Sequence, residues 1–495
     1  MRLENLAVRV LLAFLFLLCA CVRAAEPAPA RPNIVFILTD DHRWDGFGAS
    51  GNREIVTPNI DALARDGIVF RHGTVGVPQC CPSRAAILTG QYPPANGYFS
   101  NKTWTRDAEK GFDAPTIAEV LQQAGYHTAV IGKWHIKPTP WRVGFDEVRV
   151  WMPQGADAYV DAKLAKGKSS KTREVEGHVT EIFSTDAVAF LREQSRTAQV
   201  KPFFLWLAYT APHTPQKPVP QHCCDPYQAL GRSHRPPGFP PDVERPGPWA
   251  QYYSAITHLD EQVGRVLKEL KEGGLDENTL IVFLGDNGWM MGSHGRFGKN
   301  LPQDESTRVP FIVRAPRTLQ KWSGTSEALV SSMDLAPTWA DAAGASVEGF
   351  AGSTLLALLK DAKAPFRDYS LSLFEDEEEF PGFAFRMLRT KDFKYLLRPV
   401  RDPKDFKKLK KKLEETAEDK PETRKVPDFD HEQLFDLRSD PHELKNIAPF
   451  AGSSDILREM RAKMRAELIR TNDPAVKWLS GQPVKKFQRT SEGPE

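Results

Sequence analysis

The run Cys80-Cys81-Pro82-Ser83-Arg84-Ala85-Ala86-Ile87-Leu88-Thr89-Gly90 places a cysteine four residues before an arginine across the start of a helix. Pro82 suits a first helical turn, where its missing N–H leaves no bond unmade. The helix aims free backbone N–H groups and a positive dipole end toward Cys80, and Arg84, one turn on, adds a guanidinium fork on the same face. Such a corner suits a tetrahedral oxyanion. A cysteine ahead of a helix also reads as an inert structural residue, so the surrounding segments must decide between the two.

Four other segments end in residues that do chemistry: Asp40-Asp41, Lys133-Trp134-His135, His213 and Asp286-Asn287. Asp40, Asp41, Asp286 and Asn287 offer only hard oxygen ligands, a donor set for Ca²⁺ or Mg²⁺, with flexible multi-oxygen coordination favouring Ca²⁺. Taken alone, Asp40-Asp41 reads equally as a turn and cap, and a single histidine after a strand is commonly a hydrogen-bonded core residue. Their shared position unites them. Each follows a short apolar run: Asn33 to Thr39, Thr128 to Ile131, Phe203 to Tyr209 and Leu280 to Leu284. Helical patterns such as Thr116 to Ala124 and Tyr252 to Leu270 separate these runs, as expected for buried parallel strands. An α/β fold follows: a large mixed, mostly parallel sheet sandwiched by helices. Ligands of such sheets sit beyond the carboxyl ends of the strands, which is where these polar groups would emerge.

The run from Cys80 to Gly90 resembles the signature of the type I sulfatases, within the alkaline phosphatase superfamily: Cys-x-Pro-Ser-Arg followed by Leu-Thr-Gly. The resemblance continues through Thr116 to His135, Pro202 to Pro215, Gly295 to Lys299, Arg308-Val309-Pro310, Asp334 to Thr338 and Leu434 to Leu437. It implies that Cys80 is oxidised after synthesis to formylglycine, so a formylglycine-generating enzyme or equivalent maturase is an expected partner. It also implies that Asp40, Asp41, Asp286 and Asn287 hold a divalent cation against the modified Cys80. Arg84, Lys133 and Lys299 would hold sulfuryl oxygens, His213 with Lys299 would protonate the leaving oxygen, and His135 would take the proton that releases sulfate. A hydrated aldehyde carries a second hydroxyl with which to expel sulfate, whereas a single hydroxyl would stop at a stable ester.

The N-terminus has Arg2 and Arg9, an apolar stretch from Val10 to Cys21 and small residues before residue 26, the layout of a signal peptide over 1–25. The stretch is short for a membrane span, so the expectation is an exported chain, periplasmic or secreted, with no transmembrane segment after processing. Leu18-Cys19-Ala20-Cys21 also resembles a lipoprotein box, which would anchor the chain through Cys21. Of six cysteines, Cys19 and Cys21 lie in the leader and Cys80 is claimed by the motif, which leaves Cys81, Cys223 and Cys224, an odd set without metal-ligand spacing. A net charge of +2 gives no concentrated basic face for nucleic acid. The charge-dense run Lys404 to Lys425 mixes both signs and reads as a solvated helix or insertion.

The catalytic α/β domain is expected over 31–365. An antiparallel sheet with one helix follows over 366–480, built from Phe385 to Arg389, Lys394 to Leu397, Glu432 to Asp436 and Ser454 to Arg470, with a tail over 481–495. The block from Tyr159 to Leu191 is similar to glycan sulfatases of the N-acetylglucosamine-6-sulfatase and iduronate-2-sulfatase branches, which implies a sulfated carbohydrate of the glycosaminoglycan type. Arg106, Arg232, Arg235, Arg296 and Arg386 are candidates for a uronate or second sulfate, and the Pro-rich stretch Val219 to Pro248 for a specificity loop. Two other classes share these features: a phosphonate or phosphate ester hydrolase of the same superfamily, and a non-catalytic polysaccharide-binding protein.

Overall fold

The computed structural model describes residues 31–101, 111–155, 158–197, 201–231, 248–375, 383–400 and 430–481. The leader with Cys21, residues Arg106, Arg232 and Arg235, the charged run 404–425 and the tail beyond Gly481 lie outside these residues.

Ten strands form one sheet in the order β10 (Gly324–Ser326), β2 (Ile68–Phe70), β9 (Phe311–Arg314), β8 (Thr279–Gly285), β1 (Asn33–Thr39), β7 (Phe203–Ala208), β3 (His127–Lys133), β4 (Glu147–Met152), β5 (Lys163–Lys166) and β6 (Arg173–Glu174). The centre, from β8 through β1, β7 and β3 to β4, is parallel, while β9, β5 and β6 join antiparallel. Continuous apolar runs suit the centre because both faces are covered. Ile34, Phe36 and Leu38 of β1 pack against α1 (Cys80–Thr89), α2 (Ile117–Gln123) and α6 (Leu335–Ala342). Val35 and Ile37, pointing the other way, pack against α3 (Val179–Arg196) and α5 (Trp249–Glu272). Burying each such side chain stabilises the fold by about 1.5–3 kcal/mol.

Local sequence sets the ends of these elements. Thr116 caps α2 in a reciprocal box with Glu119, and His178 caps α3 through a ring nitrogen that accepts from Thr180 N–H. Near the end of β3 the register against β4 shifts between Val130 and Gly132. Gly132 has φ +97°, and a Cβ there would lie 1.9 Å from the Ala208 carbonyl oxygen, so only glycine fits. This bulge turns the chain just before Lys133.

The second sheet is an antiparallel meander of β11 (Ser370–Phe374), β12 (Phe385–Arg389), β13 (Phe393–Leu397) and β14 (Glu432–Asp436), covered by α7 (Ser454–Arg470) through Leu457, Met460, Met464 and Leu468. Its core includes Val77 and Ala86, so the meander packs on the back of the segment that carries Cys80.

Three expectations need adjustment. The helix begins at Cys80 itself, with Gln79 as N-cap, so the cysteine belongs to the first turn. The Pro-rich stretch contains a short helix, α4 (Gln221–Cys224), held against Trp249 and Tyr253 by Tyr227. Arg386 faces inward: its guanidinium is held by Asp473 and Glu375 and lies over Trp478, so burial removes it from any ligand. No helix among the described residues is long and apolar enough to cross a membrane.

Candidate active site

The carboxyl ends of β1, β3 and β8 and the segment after β7 deliver Asp40-Asp41, Lys133, Asp286-Asn287 and His213 to one edge, where the first turn of α1 brings Cys80. Ligand atoms of Asp40, Asp41, Cys80 and His213 all lie within 4.8 Å of one another. Cys80 Sγ donates to Asp40 Oδ1 at 3.3 Å and receives Lys299 Nζ at 2.7 Å. Lys133 Nζ pairs with Asp40, and Lys299 Nζ with Asp41. Arg84, one turn after Cys80, donates Nε to Asp286 Oδ2 at 2.9 Å, Nη2 to Asp40 Oδ2 at 3.3 Å and Nη1 to the Lys133 carbonyl at 2.7 Å. It therefore links three strand ends. Asn287 Nδ2 donates to Asp41 Oδ1 at 2.6 Å, and the Asp41 N–H donates to Asp286 Oδ1 at 3.3 Å.

Burial and neighbouring charge together set the charge states. Burial acts to raise the Asp40 carboxyl, but Lys133, His213, Lys299 and Arg84 outweigh it and hold Asp40 well below the usual range. Asp286 is pushed up to about 6 by burial and by neighbouring Asp40. Burial opposes the charge on Lys299, yet Asp41, Cys80 and Asp40 keep its pKa well above the ordinary value. Cys80 moves the opposite way: burial and then Asp40 raise its thiol far above the ordinary range. A thiol so placed stays protonated and is a poor nucleophile.

Asp41 Oδ2 and Asn287 Oδ1 are buried with no hydrogen-bond partner. Orphaned oxygens beside crowded carboxylates are costly in an apolar interior, and a hard divalent cation is the group that would relieve both. The donor set fits such an ion.

Among the histidines, His213 Nδ1 donates to the Thr214 carbonyl at 2.7 Å, leaving Nε2 facing Asp41 Oδ2 at 3.7 Å. Burial lowers its pKa, partly offset by Asp41 and Asp40. His135 has φ +53°, its ring abuts Gly155, and burial followed by Lys133 and Arg84 holds its pKa well below the ordinary value. His294 lies toward Glu305, at 3.7 Å, and contributes to a different contact.

Three contributors escaped the sequence reading. Trp289 lies beside His213 and Lys299, its ring 6.5 Å from that of His213 and 5.8 Å from Lys299 Nζ. Its place directly after Asp286-Asn287-Gly288 was the available signal. Tyr252 donates its hydroxyl to the Asp41 carbonyl at 2.7 Å and accepts from Arg43 N–H at 2.9 Å, bracing Asp41 in a left-handed conformation, φ +60°. A tyrosine inside an amphipathic helix gave no such sign. Asn101, which reads as a glycosylation acceptor in Asn101-Lys102-Thr103, accepts from the Cys81 N–H at 3.1 Å and so satisfies the first turn of α1. Arg296 is buried with its guanidinium over Phe383 at 5.4 Å.

The sulfatase family model matches residues 32–345, and the model for the C-terminal region of N-sulphoglucosamine sulphohydrolase matches residues 292–419. An ulvan-active sulfatase of Formosa agariphila is 28% identical over 90% of this chain and 83% of its own length. N-acetylglucosamine-6-O-sulfatase of Bacteroides thetaiotaomicron is 26% identical over 92% and 90%. A structure solved in complex with its substrate, D-glucosamine-2-N,6-O-disulfate, superposes with a TM-score of 0.72 at 25% identity over 90% of this chain and 99% of that one. With the family model spanning most of the chain, from before β1 to beyond α6, this protein belongs to the sulfatase family and is a sulfuric ester hydrolase.

Proposed function

We propose that the protein hydrolyses sulfate esters on a sulfated carbohydrate of the glycosaminoglycan type, with Cys80 converted to formylglycine by a maturase. The observation that carries this reading is Cys80 itself. Its thiol is held protonated between Asp40 and Lys299, a setting that makes a free thiol inert. Once hydrated, the formylglycine would offer one hydroxyl to attack sulfur and displace the sugar alcohol, and a second whose deprotonation would expel sulfate from the carbon and restore the aldehyde. The cation, proposed as Ca²⁺ with Mg²⁺ as the other hard candidate, would be held by Asp40, Asp41, Asp286, Asn287 and the modified Cys80, and would supply positive charge against sulfate oxygen.

The remaining roles belong to the chain. Lys133 and Lys299 lie beside Cys80 and neutralise sulfuryl oxygens as charge builds on them, and Arg84 adds to that field while anchored to Asp286 and Asp40. His213, with Nδ1 fixed on a carbonyl, presents Nε2 for the leaving oxygen, and protonated Lys299 supports the proton delivery. His135, held neutral by burial, is suited to take the proton whose removal releases sulfate. Residues 31–365 would form the catalytic unit and 366–480 the appended α+β unit. The relatives that act on ulvan and on N-acetylglucosamine 6-sulfate support a carbohydrate substrate, and we propose an exported, periplasmic or secreted, setting for it.

Sulfate release from a panel of sulfated mono- and disaccharides and an aryl sulfate, beside phenol release from an aryl phosphonate, tests the reading. The expected result is turnover of sulfated sugars above both aryl esters. Preferential cleavage of the phosphonate would replace it with the phosphonate hydrolase reading, and binding of sulfated glycans without turnover by converted protein would replace it with the binding-protein reading.

A further inference from the structure

The short helix α4 and the long helix α5 bring together an imidazole, a thiol and a carboxylate that the sulfatase chemistry does not use. His222 Nε2 lies 3.0 Å from Glu261 Oε1 and 3.1 Å from Oε2, and ligand atoms of His222, Cys223 and Glu261 all lie within 4.8 Å of one another. We propose that these three side chains form a site for a thiophilic divalent cation of the zinc class, separate from the hard carboxylate cluster at the sheet edge.

Donor chemistry selects the ion. Thiolate, imidazole and carboxylate oxygen are the ligands of zinc, at about 2.3, 2.0 and 2.1 Å, so two donors arranged tetrahedrally on one ion lie roughly 3.3–3.6 Å apart. The imidazole and carboxylate already lie that close, and the thiol stands within 4.8 Å of both. Three protein ligands leave a tetrahedral position for water. Ca²⁺, which seeks six or more oxygens, would find one carboxylate here. The two sites therefore sort ions by softness.

A surface pair between His222 and Glu261 is worth about 0–1 kcal/mol and has no need of a thiol. The third donor distinguishes this cluster. Cys223 is fully buried, yet its sulfur meets the exposed pair, whose side chains are 64% and 40% accessible, so an ion has a path from solvent. One turn earlier on α5, His258 is committed to Glu181 at 3.1 Å with its ring 4.4 Å from that of His178, and Cys224 lies outside the three-donor group. Sequence spacing misses the site because Glu261 comes from a different helix, 39 residues after His222. Coordination would pin α4 to α5. Because α4 follows closely on His213, the pin would stiffen the loop carrying that residue.

The test is Co²⁺ titration of the full-length Ca²⁺-loaded protein in a Cys80→Ser background, which removes the thiol at the other carboxylate cluster. The expected result is a one-to-one sulfur-to-cobalt charge-transfer band in the near ultraviolet with tetrahedral d–d bands, abolished by Zn²⁺, retained in Cys224→Ser and absent in Cys223→Ser. His222→Ala, at an exposed position, keeps the test informative should Cys223→Ser fail to fold, and should weaken Co²⁺ binding by about tenfold or more. Absence of a charge-transfer band, or a band insensitive to both Cys223→Ser and His222→Ala, would overturn the site. Neither result depends on sulfatase turnover.

Discussion

Two buried ion clusters in this molecule contain the same kinds of charge in opposite states of satisfaction. In the C-terminal unit, Arg386 donates Nε and Nη2 to the two oxygens of Asp473 at 2.5 and 2.9 Å, Nη2 also to Glu375 at 2.5 Å, and Nη1 to the Phe385 carbonyl at 3.1 Å. Asp473 further accepts the Ala475 N–H at 2.9 Å, and Trp478 covers the guanidinium at 4.7 Å. At the sheet edge, Arg84, Lys133 and Lys299 face Asp40, Asp41 and Asp286, but Asp41 Oδ2 and Asn287 Oδ1 accept no hydrogen bond and Asp41 holds a left-handed backbone. A closed network fixes a structure; an open one keeps binding capacity for something else.

Substitution should separate the two most clearly. Cys80→Ala in the open cluster is expected to reduce turnover by about 10⁴-fold or more with little change in melting temperature, because it removes the proposed nucleophile from a helix that keeps its packing. Arg386→Met in the closed cluster should do the reverse. It strands Asp473 and Glu375 in an apolar setting, costing about 3–5 kcal/mol in denaturant unfolding, while the folded fraction retains its kcat. Loss of turnover at matched folded fraction in Arg386→Met would erase the distinction.

Removing divalent ions should sharpen it further. Chelation is expected to abolish turnover and lower thermal stability, with Ca²⁺ restoring both in wild type but not in Asp286→Ala. The C-terminal cluster, already satisfied, should respond to neither treatment.

His213→Gln is expected to lower kcat by about 10²–10⁴-fold on a sugar sulfate and much less on an aryl sulfate whose leaving group needs no proton. Equal losses on both would remove His213 from leaving-group protonation.

The smallest effect concerns pH. His178 accepts Thr180 N–H on Nδ1 and donates Nε2 to the Pro218 carbonyl at 3.0 Å, and burial, followed by nearby His258, lowers its pKa to about 4. The unfolded chain binds a proton near pH 6.5 that the folded chain refuses, so this residue's stability contribution is complete above pH 6.5 and declines as pH falls toward 4. With solvent screening the loss should be about 1–2 kcal/mol, and His178→Asn, a cap that does not titrate, should flatten that part of the stability profile.

How far the sequence carried the reading follows from the same contrast. Strand centres and the polar residues at their ends were legible because buried parallel strands are continuous apolar runs and their carboxyl ends carry ligand groups. Asp40, Asp41, Asp286, Asn287, Lys133 and His213 were therefore singled out at strand ends, Cys80 by its helix start and family resemblance, and the structure gathers these residues at one edge. Arg386 was misread because one strand residue looks like any other charged surface residue until its partner, 87 positions away, is known. Tyr252 and Trp289 were missed for a related reason: each acts through a contact to a distant backbone or ring, which periodicity does not record. The start of α1 was placed late because Asn101, far along the chain, supplies the carbonyl that satisfies its first turn.

The most direct test of the central claim is peptide mass spectrometry of the Cys80 segment from protein made in a host with a formylglycine-generating system, run beside the activity assay. The account predicts a mass loss matching thiol-to-aldehyde conversion, trapped by a carbonyl reagent, with specific activity proportional to the converted fraction. Full activity from protein whose Cys80 remains an unmodified thiol would contradict it.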